Sequence, residues 1–276
     1  LCENYDGTQG VTDDKILIGN SLPQSGLYSV FDKVRVGIEA YFDFANSDGG
    51  VEGRQLELKS LDDQYLPERT RANVETLVNT DGVFALLGMV GTENNLQAQQ
   101  YLAEQGQCVP NLSVATGYPG FGDPTKDPWI INGLPNYALE SIAFADYLKE
   151  NEPTAKVAIL SQNDAFGESY VTAFKKAIEG TDITVTDVAT YPTGANEVAS
   201  QVTSLAATGA DTFFNGATLL ACPNALEKAK AANWTPITFV SGTCISKTLM
   251  GLAGANADKV IAATNTIDPM NPAYAD

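Results

Sequence analysis

"VFALLGMVGTENNLQAQQYL", residues 83–102, decides the fold. An apolar run stops at Gly88, a Gly-x-x-Gly-Thr turn follows, and then a polar stretch reads as a helix. A strand that passes into a helix through a glycine turn is the repeating unit of a parallel α/β sheet. Such a turn cradles phosphate, lines a catalytic pocket, or is simply tight. No Gly-Lys-Ser/Thr follows GMVGT, and the stretch does not match Gly-x-Gly-x-x-Gly, so nucleotide binding is disfavoured.

The same alternation runs outward in both directions. Upstream, KILIGNSL (15–22) reads as a strand, and a helix is expected from about Phe31 to Asn46, with Val34, Ile38, Tyr41 and Ala45 on one face. SDGGVEGR is a turn, QLELKSLDD alternates as a strand, and PERTRANVETLVN is a helix with Pro67 at its first position. Downstream, CVPNLSVAT is a strand, residues 117–128 are a Gly/Pro loop, and WIINGLPN is a short strand ending in a turn. Helices are then expected to carry Leu139, Ala143 and Tyr147; Tyr170, Phe174 and Ile178; and Val198, Val202 and Leu205. KVAILS, ITVTDVATY, DTFFNGA, ITFVSG and KVIAATN are the remaining strands, with CPNALEKAKAANW and SKTLMGLAG as the last helices. About ten strands and eight helices make a parallel-rich α/β protein. The Gly/Pro loop and NGLPN split it into two doubly wound lobes joined by a hinge, residues 1–134 and 135–264, with 265–276 as a further hinge crossing. Ligands of such sheets sit beyond the carboxyl ends of the strands, so two hinged lobes imply a cleft where those ends face each other.

Composition narrows the function. Lys and Arg total 16 against 34 acids, a formal charge of −18. That surface repels phosphate backbones and anionic membranes, so no nucleic-acid partner is expected. Histidine is absent, which removes Ser-His-Asp and Cys-His catalysis and every His-containing zinc site. Carboxylate, lysine or tyrosine chemistry stays open. No apolar run approaches the roughly 18–20 residues of a membrane-spanning helix. The chain opens on Leu1-Cys2, compatible with a leader already removed. Four cysteines without a C-x-x-C spacing argue against metal or thioredoxin-like chemistry. Asp62-Asp63 reads as a solvated strand end, because a Mg²⁺ or Ca²⁺ site needs more convergent oxygens. Neither cofactor nor metal is expected.

Several segments together carry a resemblance: VTDDKILIGNSLPQSG, DFANSDGGVEGRQLELKSLDDQYLPERT, GMVGTENN, VPNLSVATG, KVAILSQNDAFGESY and ATGADTFFNGAT. In their order and spacing they resemble the type I periplasmic binding proteins of ABC transporters, in particular the leucine/isoleucine/valine-binding protein family. Members of that family usually run longer, crossing the hinge a third time and adding helices to the first lobe. The resemblance therefore implies a missing C-terminal part beyond IDPMNPAYAD.

The resemblance also implies a site. In this family the first lobe meets the ligand's carboxylate with N–H groups at a helix N-terminus and with hydroxyls. Thr92 matches the hydroxyl at the helix start. Ser113 and Thr116 flank the next strand end, with Val114 or Ala115 as a backbone donor or acceptor. Phe31 and, from the second lobe, Phe166 match aromatic positions over the ligand. Read by themselves, the same hydroxyls could cap helices and turns, and the same phenylalanines could pack in the core. FFNGAT and FVSGTC put Ala217 or Thr218, and Thr243, where amino-acid binders can carry a tyrosine and an acid for the ammonium group. A neutral threonine does not offset the desolvation of a charge. Either Asp164 or Glu93 substitutes, or the solute lacks an ammonium group; the preferred expectation is a small carboxylate, amide or aromatic acid.

Positions in that fold pair Cys2 with Cys108 on the side away from the cleft, and Cys222 with Cys244 on the cleft side. Two disulfides imply an extracytoplasmic setting. The rival for Cys2 is lipid modification, leaving Cys108 free. The resemblance implies a monomeric, non-enzymatic receptor that closes on a small solute and presents it to the membrane permease of an ABC importer. A ligand-sensing ectodomain and a His-free α/β enzyme are the competing readings.

Overall fold

The computed structural model describes residues 7–105 and 108–264. The chain divides into two compact units, the first ending at Asn136 and the second starting at Tyr137. Ten strands and eight α-helices occur among the described residues.

The first unit is a parallel sheet in the order β2-β1-β3-β4-β5. Its strands are β1 (Lys15–Leu22), β2 (Gln55–Asp62), β3 (Ala85–Leu87), β4 (Asn111–Val114) and β5 (Ile130–Asn132). The crossovers are α1 (Lys33–Ser47), α2 (Pro67–Glu75) and α3 (Thr92–Glu104). Pro67 opens α2, where its missing N–H costs no hydrogen bond. Successive side chains of β1 serve opposite faces: Leu17 packs with Val83, Leu86 and Tyr101, while Ile16 and Ile18 pack with Phe42 and Ala85.

The second unit repeats the plan with the order β7-β6-β8-β9-β10. Its strands are β6 (Lys156–Gln162), β7 (Thr184–Tyr191), β8 (Thr212–Gly216), β9 (Ile237–Val240) and β10 (Ile261–Ala262). The helices are α4 (Tyr137–Asn151), α5 (Ala165–Ala177), α6 (Ala199–Ala206), α7 (Ala221–Ala231) and α8 (Lys247–Ala253). Adjacent Phe213 and Phe214 enter different cores, one with Val202 and Leu226, the other with Phe144 and Phe174. Helices cover both faces, which is why FF and AIL appear as continuous apolar runs.

Two expected helix faces are corrected. In α1 the buried residue is Phe42 and Tyr41 is exposed, because Val34 and Ile38 lean onto the Gly88 turn and set the stripe at 34, 38 and 42. In α4, Leu139, Ala143 and Tyr147 are exposed, and Tyr137, Ser141, Phe144, Ala145 and Leu148 are buried. Both stripes have helical spacing; contact with Phe166, Tyr170 and Phe239 selects the second.

Candidate functional site

In each sheet the strand order reverses at one place, between β1 and β3 and between β6 and β8. A crevice opens beyond the carboxyl ends of the strands at such a switch point.

In the first unit β3 passes into α3 at that switch point through the Gly88–Thr92 turn. Gly88 has φ +66° and Gly91 φ +101°, both in the region that glycine alone adopts without strain. Space adds a second demand: a Cβ at 88 would stand 2.8 Å from Ile38 Cδ1, and one at 91 would stand 2.5 Å from Asn94 Oδ1. Gly91 is the N-cap of α3, so the helix opens with Thr92 and Glu93 in its first turn. The first N–H groups of a helix have no partner inside it, and its dipole favours an anion at that end.

The turn is clamped from behind. Asn95, fully buried, donates through Nδ2 to Met89 O (3.0 Å) and Gly91 O (2.7 Å), and its Oδ1 accepts from Asn111 Nδ2 (2.9 Å). Ala115 closes the other side, its N–H donating to Met89 O (2.8 Å) and its carbonyl accepting from Gly91 N–H (3.3 Å). Asn20 at the end of β1 donates to Leu87 O.

Thr92 and Thr116 are brought together: their hydroxyls lie 2.7 Å apart and both residues are buried. Thr116 Oγ1 also accepts from Tyr118 N–H (3.2 Å). Val114 is buried, and its carbonyl accepts from Thr116 and Gly133 N–H groups (2.8 Å each). Ser113 lies apart from this group. It is exposed, with φ +49°, on a bulge where β4 and β5 lose register. Phe31 is half-buried in a 3-10 turn, Ser29–Asp32, with its ring 6.4 Å from Tyr28. Tyr28 stacks on Tyr65 at 3.9 Å, and Tyr65 borders Gly91. No local sequence pattern announces this aromatic stack or the Asn95 clamp; the one signal is the polar helix start following directly on a glycine turn.

Asp62-Asp63 is not a solvated strand end. Asp63 is fully buried and accepts from Ser21 Oγ (2.9 Å), Thr70 Oγ1 (2.9 Å) and Tyr65 N–H (2.8 Å). Burial raises its pKa above the ordinary 3.8, against the pull of those donors. Asp62 is held below the ordinary value: burial opposes its charge, but Ser25 Oγ and the N–H groups of Gln64, Gln24 and Ser25 outweigh that. For Asp63 the folded-state pKa exceeds the unfolded one, so its contribution is full below the unfolded pKa and is lost as pH rises through the folded one. Asp63→Asn is therefore expected to gain on the wild type as pH rises from about 4 to 7, read from urea midpoints. A constant difference across that range would refute it. Among the described residues no group of three or more His, Cys, Asp or Glu could hold a metal.

In the second unit Asp164 is the N-cap of α5. Its Oδ1 accepts from Gly167 N–H (3.1 Å), and Oδ2 accepts from Thr193 Oγ1 (3.1 Å) and from Gln162 Nε2. The structure places Phe166 in the aromatic core, edge-on to Tyr137 (5.2 Å) and Tyr170 (5.4 Å). Thr218 follows β8, buried, and its N–H donates to Tyr191 Oη (3.0 Å), which lies 3.4 Å from Gln162 Oε1. Thr243 Oγ1 lies 2.8 Å from Ser241 Oγ, and both hydroxyls reach Ala217 O, at 3.4 and 2.7 Å. Thr218 and Thr243 thus share one polar seam along the ends of β7, β8 and β9.

Cys222, in the first turn of α7, is bonded to Cys244 beyond β9. The Cys2–Cys108 pairing reaches residue 2 and lies outside the described residues. No described helix is long and apolar enough to cross a membrane.

A family model described as periplasmic binding protein matches residues 15–276. A "Leu/Ile/Val-binding protein homolog 3" of Brucella melitensis is 28% identical over 202 residues, 73% of this chain and 54% of that protein. The chain thus spans about half the length of the curated relatives it matches. Among solved structures, a substrate-binding periplasmic protein from Ralstonia solanacearum is 27% identical with a TM-score of 0.81, over 89% of this chain and 69% of that one. A branched-chain amino acid ABC transporter protein from Thermus thermophilus with bound valine shares the fold, with a TM-score of 0.83 at 21% identity over 93% and 66% of the two chains.

Proposed function

The chain belongs to the periplasmic binding protein family, and from that premise we propose that it is the extracytoplasmic solute receptor of an ABC importer. Its solute is a small carboxylate, amide or amino-acid-like molecule, and no bond is made or broken. The observation that carries this reading is the start of α3: a glycine N-cap, which makes no side-chain cap, at a switch point, with the Thr92 and Thr116 hydroxyls together beside it. Helix N–H groups and hydroxyls are what a carboxylate or amide oxygen requires. The second unit offers hydroxyls, Thr218 and Thr243, and its Asp164 is occupied as a helix cap. That supports a solute whose far end is neutral. The Thermus protein carries valine, so free amino acids belong in the same screen. Binding would work by closure: a solute touching both units favours the closed state by its differential affinity.

A thermal-shift screen over amino acids, amides, aromatic acids and short carboxylates tests this. A binder at about a hundred times its Kd stabilises by about 2.7 kcal/mol. No shift with any compound would overturn the proposal, and micromolar binding of leucine or valine would remove its neutral-end part. Thr92→Val is expected to weaken the binder found about tenfold while costing about 1 kcal/mol of stability, since one buried hydroxyl pair is lost. Calorimetry and urea unfolding separate the two effects.

A further inference from the structure

Glu140 belongs to the first turn of α4, yet its carboxylate ends at the loop after β9. Oε2 accepts from the Gly242 N–H (2.8 Å) and from the Tyr170 hydroxyl (3.1 Å). Gly242 opens the 3-10 turn Gly242–Cys244, which carries Thr243 and ends on the Cys244 disulfide. Among the described residues no Lys or Arg pairs with Glu140, and burial pushes its pKa up. A Cβ at 242 would stand 2.8 Å from Glu140 Oε1, so the carboxylate lies directly against the turn. The other end of the strut is fixed by packing. Tyr137 stacks on Tyr170 at 5.0 Å and meets Phe166 edge-on, which locks α4 against α5.

A half-buried acid with no cation, spent on one loop N–H and one phenol, holds geometry. We infer that Glu140 is a positioning residue: it sets the Gly242–Cys244 turn and thereby presents the Thr243 hydroxyl to the solute. The inference rests on the receptor reading above, and Glu140 itself does not touch the solute. The role needs an acceptor at the right reach and does not need charge. Glutamine keeps both the reach and an acceptor oxygen; aspartate keeps the charge but is one methylene short.

The test compares wild type, Glu140→Gln, Glu140→Asp and Glu140→Ala as full chains. Amide hydrogen exchange over residues 240–246 is read beside calorimetric affinity for L-valine and 3-methylbutanoate. Glu140→Asp and Glu140→Ala are expected to speed exchange at Gly242 and weaken the bound probe, each about tenfold or more, because the Gly242 N–H loses its acceptor. Glu140→Gln stays within about threefold of wild type in both. Unchanged exchange in Glu140→Ala, fast exchange with unchanged affinity, or a Gln variant as weak as Ala would overturn the inference. If Glu140→Ala does not fold, the Asp–Gln contrast decides alone. If wild type binds neither probe, the compound found in the thermal-shift screen takes their place; a screen with no binder removes the receptor reading before any variant is made, whereas a binder whose affinity ignores Glu140→Ala removes only this role.

Discussion

Gly167→Ala is expected to destabilise the second unit by about 3 kcal/mol, although alanine is the better helix former. Gly167 lies in the first turn of α5, directly on the end of β6. A Cβ there would collide with Gln162 O and Ser161 Oγ and stand 2.8 Å from Gln162 N. Backbone atoms of a central strand cannot retreat as the tip of a side chain can, so helix and strand must separate. Separation also pulls the Gly167 N–H from Asp164 and disturbs the Gln162–Tyr191–Thr218 seam. Gly251→Ala is the control: it lies inside α8 with nothing within 4 Å of the added carbon, and is expected to be neutral or to stabilise by up to about 1 kcal/mol. Urea unfolding of the pair checks both signs. Equal effects at 167 and 251 would show that propensity, and not the close approach, decides.

Reduction of the Cys222–Cys244 bond is the second large effect. The two cysteines are 22 residues apart and fully buried. Closing a loop of that length removes unfolded-state entropy worth about 3 kcal/mol. For a unit of this size that is a fall of roughly 10 °C in Tm. Under the receptor reading, releasing the turn that carries Thr243 is expected to lower solute affinity as well, which calorimetry reads separately from Tm. Cys222→Ser/Cys244→Ser and reductant-treated wild type should agree, with intact mass confirming the redox state. A double variant that melts with the wild type would remove the bond from the stability of this unit.

The resemblance and the alternation of strands and helices were legible in the sequence because both are local or ordered along the chain. α5 and α6 show why. Tyr170, Phe174 and Ile178, and Val198, Val202 and Leu205, are buried as their spacing required, since each helix has one apolar side. α4 is apolar on more than one side, and periodicity alone could not select among its stripes. Asp63 failed for a different reason. An acid pair at a strand end reads as solvated, yet Ser21 and Thr70 come from other elements to enclose it. Phe166 packs against Tyr137 and Tyr170, contacts from α4 and α5 that no local pattern announces.

By itself, then, the sequence determined the parallel α/β plan, the glycines at 88 and 91 that a left-handed turn demands, and the absence of histidine chemistry. Tertiary structure alone decided which polar groups meet. Thr92 finds Thr116 across 24 residues, and Glu140 reaches Gly242 across 102. Periodicity and turn chemistry act over a few residues, whereas those meetings depend on strand order, and strand order is settled only when both faces of each sheet are covered.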